Sequence, residues 1–281
     1  SLVLDGSPIM YQGAEFEGLP INTPSLYIHT IGAGGGSLAY LDEAGALQVG
    51  PESAGADPGP AAYGRGGTKP TFTDAALAVG YLGTDTPLGG TLTLNAENSE
   101  KALSTVAEKT GYSISGLALG VLNISTTKIT GAVRAITIEL GHNPKDFSLL
   151  SFGGGGGLVA VDVARELGIP EVIVPPGQGA FSALGMLMAD VQYDLSRTFV
   201  EPFDSLDLRV VEDLFREMET EAADSLKGDG FTQKDTEFHR SIQVRYLGQE
   251  HSVTIDFPSD SDTVLEQIEK DFNELHERQY G

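Results

Sequence analysis

Two glycine runs, one histidine and a few carboxylates hold the chemistry this sequence offers. The first run is Gly34-Gly35-Gly36, closed by Ser37 and preceded by His29; the second is Gly153 to Gly157, set between FSLLSF and LVAVDVARELG. Glycine lets main-chain amides approach a ligand and take positive φ, and a helix N-terminus after the turn adds a partial positive charge. The second turn therefore suits an anion, although close packing of helix on strand explains its glycines about as well, and the amides of the first turn could hold a phosphoryl oxygen. His29 has an imidazole whose ordinary pKa of about 6.5 lets it exchange protons near neutrality; a core histidine is the competing reading. Between the runs, Ser53 to Gly67 (SAGADPGPAAYGRGG) is too rich in Gly and Pro for helix or strand and too patterned for a linker. It reads as an ordered loop beside a site. Asp57 and Arg65 lie on it and Asp74 follows shortly after. A carboxylate there can order a metal ion through water and an arginine can clamp a phosphate, while turn and capping duties account for Asp57 and Asp74 nearly as well.

These residues need elements to position them. Over Phe147–Gly168, a short apolar run, the glycines, and then Leu158, Val161, Ala164 and Leu167 at helical spacing predict strand, tight turn and helix. Glu171–Pro175 (EVIVP) predicts a buried strand, and Ala180–Asp190 an apolar helix with Met186, Leu187 and Met188 in the core. Two consecutive strand–helix pairs imply an α/β sheet. Upstream, Leu2–Met10 reads as a hairpin around Asp5-Gly6, and the 21–31 stretch carries LYIHTI into the first glycine run. LAYLDEAGALQVG gives two strands joined at Asp42 to Gly45. A helix is expected from Thr73, capped by Thr73 or Asp74. Another runs over 95–111 with Asn95 as cap and Gly111 as stop. A long core helix spans 113–141, in which Gly120 and Gly131 each lower helix propensity by about 1 kcal/mol and so imply close packing. Residues 207–227 predict an acidic amphipathic helix, 238–247 and 251–257 paired strands, and 264–278 a last helix.

Composition bounds the rest. The 281 residues exceed one average domain, the 40% hydrophobic and 20% charged content is globular, and no apolar run approaches a bilayer span. No charged start with an apolar core resembles a signal peptide, and Ser1 in place of Met suggests an upstream part. The absence of cysteine excludes disulfides and thiolate metal sites and is in keeping with a cytoplasmic location. A net charge of −23 argues against nucleic acid and anionic membrane as partners. Residues 1–197 hold 19 acids and 9 bases, residues 198–281 hold 21 and 8, and 32 of the 36 glycines lie before 198. That break places a domain boundary near Arg197–Pro202. The remaining histidines, 142, 239, 251 and 276, show no zinc spacing, and no Ser-His-Asp order stands out.

Four long segments then carry a family likeness. HTIGAGGGSLAYLD (29–42), GPESAGADPGPAAYGRGGTKPTFTDA (50–75), SFGGGGGLVAVDVARELGIPEVIVPPG (151–177) and FSALGMLMADV (181–191) resemble, in order and spacing, the hydantoinase A, 5-oxoprolinase and acetone/acetophenone carboxylase family. RYLGQEHSV (245–253) is similar to the start of that family's C-terminal region. The resemblance implies an α/β, actin-like ATPase lobe, of the kind found in acetate and sugar kinases, chaperone ATPases and actin, over 1–197, with an appended, truncated α+β segment over 198–281. It implies ATP and Mg²⁺ as cofactors, and an N-terminal domain with an Asp-Met-Gly-Gly-Thr-type phosphate loop upstream of Ser1. Two departures stand out: Val159 replaces a histidine of the family's Ala-Gly-Pro-Leu-His, and Tyr27 stands where an Asp is common two residues before His29.

Carried over residue by residue, the resemblance lays Gly153, Gly154, Gly155 and Gly156 against the adenosine or α-phosphate side of ATP. Gly34, Gly35, Gly36, Ser37 and Arg65 are the remaining cofactor-binding candidates, and His29, Asp57 and Asp74 the catalytic ones. The implied activity is phosphorylation of a cyclic amide such as a hydantoin, 5-oxoproline or lactam for ring-opening hydrolysis. A hydantoinase B-like partner completes the expected hetero-oligomer, and the isolated segment is expected to be inactive. Ketone carboxylation and a non-catalytic nucleotide-binding or assembly module are the alternatives. A dinucleotide oxidoreductase ranks last, because no clean strand–GxGxxG–helix is present.

Overall fold

The computed structural model describes residues 1–11, 14–16, 19–21, 25–258 and 263–280. Two compact units are present, Ser1–Ala189 and Asp190–Gly281, the division falling upstream of the composition break at Arg197–Pro202.

The first unit starts with β1 (Val3–Leu4) and β2 (Ser7–Pro8), an antiparallel hairpin whose turn residues Asp5 and Gly6 have φ of 50° and 83°. Two positive φ values in a two-residue loop match strand twist, so Asp5-Gly6 is the turn its composition announces. β3 (Met10–Tyr11) pairs with β6 (Ser25–Leu26), and β4 (Ala14–Phe16) with β5 (Leu19–Ile21). Of the 21–31 stretch, residues 22–24 lie outside the described residues. β7 (Ser37–Leu41) and β8 (Leu47–Ser53) form the next hairpin. Asp42 closes it, accepting from the amides of Ala44 at 3.0 Å and Ala46 at 2.9 Å and from Gln48 Nε2 at 2.9 Å.

Three helices follow: α1 (Phe72–Ala78), α2 (Ala96–Thr110) and α3 (Ile114–Ala135). Asn95 caps α2 and Gly111, at φ 73°, ends it; Ser113 caps α3. α3 is the spine of the unit, packing Leu117, Ala118 and Val121 against Ala39 and Val49 of the hairpin, Ala75 of α1 and Leu103 of α2. Each such large aliphatic side chain, fully buried, contributes about 1.5–3 kcal/mol. The helix stops at Ala135 rather than at Gly141. The apolar rhythm continues through Ile138 and Leu140, but those residues form a 3₁₀ turn closed by Gly141 at φ 82°. Gly120 meets Leu47 closely, its Cβ position lying 3.1 Å from Leu47 Cδ2, whereas nothing lies within 4 Å of a Cβ at Gly131. Close packing accounts for the first glycine and not for the second.

β9 (Ser148–Leu150), α4 (Ala160–Leu167) and β10 (Glu171–Ile173) make a βαβ unit, with β9 and β10 parallel and Leu149 opposite Val172. α4 presses Val163, Ala164 and Leu167 against Ile129 and Val133 of α3. Two expectations fail here. β10 is not buried, since among the described residues it pairs with β9 alone and Ile173 and Val174 stay exposed. α5 (Phe181–Met188) exists, yet Met186, Leu187 and Met188 are 80%, 86% and 74% exposed rather than in a core.

The second unit has α6 (Leu208–Gly228), the antiparallel pair β11 (Ser241–Val244) and β12 (Val253–Asp256), and α7 (Val264–Tyr280). Its own core joins Val211 and Phe215 of α6, Val253 and Ile255 of β12, Phe257, and Ile268 and Phe272 of α7. Arg240 bridges Glu212 at 2.8 Å and Glu219 at 2.6 Å while lying 5.1 Å from the centre of the Phe215 ring.

Candidate functional site

The site is built where the two glycine runs meet. A Cβ placed on Gly155 would stand 3.9 Å from the amide nitrogen of Gly35, so turns more than a hundred residues apart in sequence face each other. Among the described residues no acceptor takes up the amides of Gly35, Gly36, Gly154, Gly155 or Gly156. Main-chain N–H groups left unpaired in a glycine turn are donors that an anion can use.

The first turn is held from behind. Gly34 donates its amide to Ser37 Oγ at 3.0 Å, and Ser37 returns its own amide to the Gly34 carbonyl at 3.0 Å. Ser37 is buried, so this expected cofactor-binding residue closes the turn through both its hydroxyl and its backbone. The Gly35 carbonyl accepts from Thr73 twice, from the amide at 2.9 Å and from Oγ1 at 2.8 Å. The Gly36 carbonyl accepts the Ala54 amide at 2.8 Å, which ties the Gly/Pro loop to the turn. Here glycine is demanded by the chain itself: a Cβ on Gly35 would lie 2.8 Å from Thr73 Oγ1, and one on Gly36 2.6 Å from Ser53 Oγ.

The second turn differs. Gly153, at φ 84°, donates to the Gln178 carbonyl at 2.7 Å and needs its glycine for conformation. A Cβ on Gly156 would come within 3.2 Å of Ser151 Oγ, a buried hydroxyl with no hydrogen-bond partner among the described residues. Gly154 has neither a positive φ nor any neighbour within 4 Å of a Cβ, and Gly155 sits at φ −101°, ψ −14°, an ordinary backbone conformation. Packing within the chain does not ask for glycine at these two positions.

Asp74 lies elsewhere than a catalytic carboxylate should. It is fully buried at the start of α1 and accepts from the amides of Ala61 (3.3 Å), Ala62 (2.7 Å) and Thr71 (2.9 Å) and the hydroxyls of Thr71 (2.7 Å) and Ser99 (2.8 Å). Thr71, not Thr73 or Asp74, is the N-cap, with Asp74 the third residue of a capping box. The signal was in the sequence: a Thr-x-x-acid spacing directly after Pro70. Sequence reasoning missed Thr73, which carries the turn. His29, Asp57 and Arg65 are exposed, and no hydrogen bond or ion pair joins them to the two turns among the described residues. No cluster of three His, Asp or Glu groups suited to a metal occurs among the described residues. Val159, in place of the family histidine, is buried with Phe72, Ala76 and Leu122, an apolar setting that suits valine.

The profile of the hydantoinase/oxoprolinase family matches residues 1–195. The chain belongs to that family. This hydantoinase/oxoprolinase family member is 36% identical to the caprolactamase subunit alpha of Pseudomonas jessenii over 91% of its length and 38% of that protein. It is 32% identical to the acetophenone carboxylase gamma subunit of Aromatoleum aromaticum over 82% of its length and 32% of that protein. The crystal structure of the ATP-dependent P. jessenii caprolactamase superposes with a TM-score of 0.71 at 34% identity, covering 95% of this chain and 40% of the other. The nucleotide-free acetone carboxylase structure superposes with a TM-score of 0.82 at 26% identity, covering 98% of this chain and 41% of the other. The chain thus spans about two-fifths or less of the proteins it matches here. Among the described residues no helix is long and apolar enough to cross a membrane.

Proposed function

We propose that this chain is the nucleotide-holding part of an ATP-dependent enzyme that activates a cyclic amide for ring-opening hydrolysis. The observation that carries the reading is the pair of facing glycine turns, with the free amides of Gly35 and Gly36 on one side and of Gly154 to Gly156 on the other. Such amides fit the oxygens of a polyphosphate, which main-chain donors bind without a positive side chain. The lobe that contains them is read as actin-like, in keeping with its likeness to an ATP-dependent caprolactamase.

ATP, when bound, supplies the phosphoryl group that turns an unreactive amide oxygen into a leaving group. The chain's own residues orient and stabilise. The amides of Gly35 and Gly36 and of Gly154 to Gly156 would hold phosphate oxygens, and Arg65, exposed on the Gly/Pro loop, would supply a guanidinium to clamp them. Asp57, on the same loop, would hold an accompanying Mg²⁺ through water. His29, five residues before the first turn and open to solvent, moves the proton at the substrate. Asp74 takes no part in the chemistry; it secures the loop and α1. The names caprolactamase subunit alpha and acetophenone carboxylase gamma subunit support a hetero-oligomer, whose second member we propose to be hydantoinase B-like.

Ketone carboxylation is the second reading, favoured by the TM-score of 0.82 with acetone carboxylase. ADP release by the full-length natural protein separates the two, measured with hydantoins, 5-oxoproline, lactams, and ketones plus bicarbonate, each with and without the hydantoinase B-like subunit. Release driven by a cyclic amide supports the hydrolase; release driven only by ketone and bicarbonate supports the carboxylase; no nucleotide turnover or binding contradicts both.

A further inference from the structure

We infer that Thr73 is a positioning residue of the nucleotide site, aiming the Gly36 amide at phosphate by gripping the carbonyl of Gly35. The inference rests on the nucleotide reading above. In a trans peptide the C=O of one residue and the N–H of the next point in opposite directions. The Gly35 carbonyl is drawn back onto α1 by both the amide of Thr73 at 2.9 Å and its Oγ1 at 2.8 Å, so the Gly36 N–H is turned away from α1. That N–H has no acceptor among the described residues.

The grip is rigid because Thr73 is itself fixed. It is 4% exposed, one residue from fully buried Asp74, whose carboxylate is anchored to the Gly/Pro loop at Ala61 and Ala62 and to α2 at Ser99. A Cβ on Gly35 would collide with Thr73 Oγ1 at 2.8 Å, so the glycine and the threonine fit as a pair. The buried carboxylate thus holds the element that holds the turn, and the Thr73 hydroxyl sets the direction of an amide donor.

Thr73→Val keeps the shape and the backbone bond and removes only the hydroxyl; Thr73→Ser keeps the hydroxyl. The test is equilibrium binding of ATP and of adenosine to the full-length natural protein and both variants, with thermal unfolding in parallel. Thr73→Val is expected to weaken ATP binding roughly three- to tenfold, the effect of one hydrogen bond, with adenosine affinity unchanged and Thr73→Ser restoring ATP binding. If wild type binds ATP and Thr73→Val binds it equally tightly, or loses adenosine and ATP in equal measure, the positioning role is overturned while the nucleotide site stands. If wild type binds neither ligand, the site itself is overturned and the role falls with it. Should Thr73→Val fail to fold, Thr73→Ser decides: ATP affinity at the wild-type level is the expected result, and a loss confined to ATP despite the retained hydroxyl overturns the assignment.

Discussion

Asp74 has no lone pair left for a substrate: a carboxylate offers about four acceptor sites, and five donors from Ala61, Ala62, Thr71 and Ser99 converge on it in a place water does not reach. Asp74→Ala is expected to cost about 3–5 kcal/mol of stability, since buried donors are orphaned together, and urea unfolding of the variant measures it. Ser151 is the opposite case. Its hydroxyl is buried without a partner, so Ser151→Ala should leave stability unchanged or raise it by up to about 1 kcal/mol in the same assay. A loss above about 1 kcal/mol would mean that the hydroxyl has an acceptor after all. Residue types alone could not separate these two. A sequence shows that Asp74 follows Thr73 and that Ser151 stands two residues before Gly153, but which lone pairs are filled depends on loop residues such as Ala61 and Ala62, whose side chains announce nothing.

Elements were more legible than residue roles, and for a local reason. Asn95, Gly111, Ser113 and Gly168 act within one turn of chain, so α2, the start of α3 and the end of α4 follow from caps and periodicity. Burial is not local. EVIV and Met186 to Met188 have core composition, yet Ile173, Val174 and the three residues of α5 stay exposed because burial requires a facing partner, which composition does not supply. α3 carries the first unit, and Leu117 is fully buried in the core that α3 shares with α1, α2 and the β7–β8 hairpin. Leu117→Ala should therefore lower stability by about 2–5 kcal/mol in denaturant unfolding, against a change near zero for exposed Leu119→Ala. In the second unit Arg240 holds the Glu219 carboxyl below the usual glutamate value of 4.5, chiefly by its hydrogen bond and then by its charge. A lowered folded-state pKa adds stability above the ordinary value that is lost as pH falls through the lowered one. Stability should therefore decline below about pH 4.5, more steeply than in Arg240→Gln, as thermal unfolding across pH 3–7 would reveal.

At the scale of the molecule, the chain is a family member that spans about two-fifths of its ATP-dependent relatives by structure, with a net charge of −23. An acidic protein binding a polyanion must rely on directed N–H donors more than on overall field, which makes the gap between the two turns the decisive feature. Gly155 tests it most directly. Its φ of −101° and ψ of −14° suit alanine, and a Cβ would make only ordinary contact, 3.9 Å from the Gly35 amide. Gly155→Ala should thus hold or raise stability by about 0.4–1 kcal/mol by restricting the unfolded chain. The same methyl enters the space between the turns where a phosphate would sit. Calorimetric titration of ATP into the full-length natural protein and its Gly155→Ala variant, with thermal unfolding alongside, is expected to show affinity reduced about tenfold or more, some 1.4 kcal/mol, in a protein at least as stable as wild type. Unchanged ATP affinity in a folded Gly155→Ala protein would contradict the site.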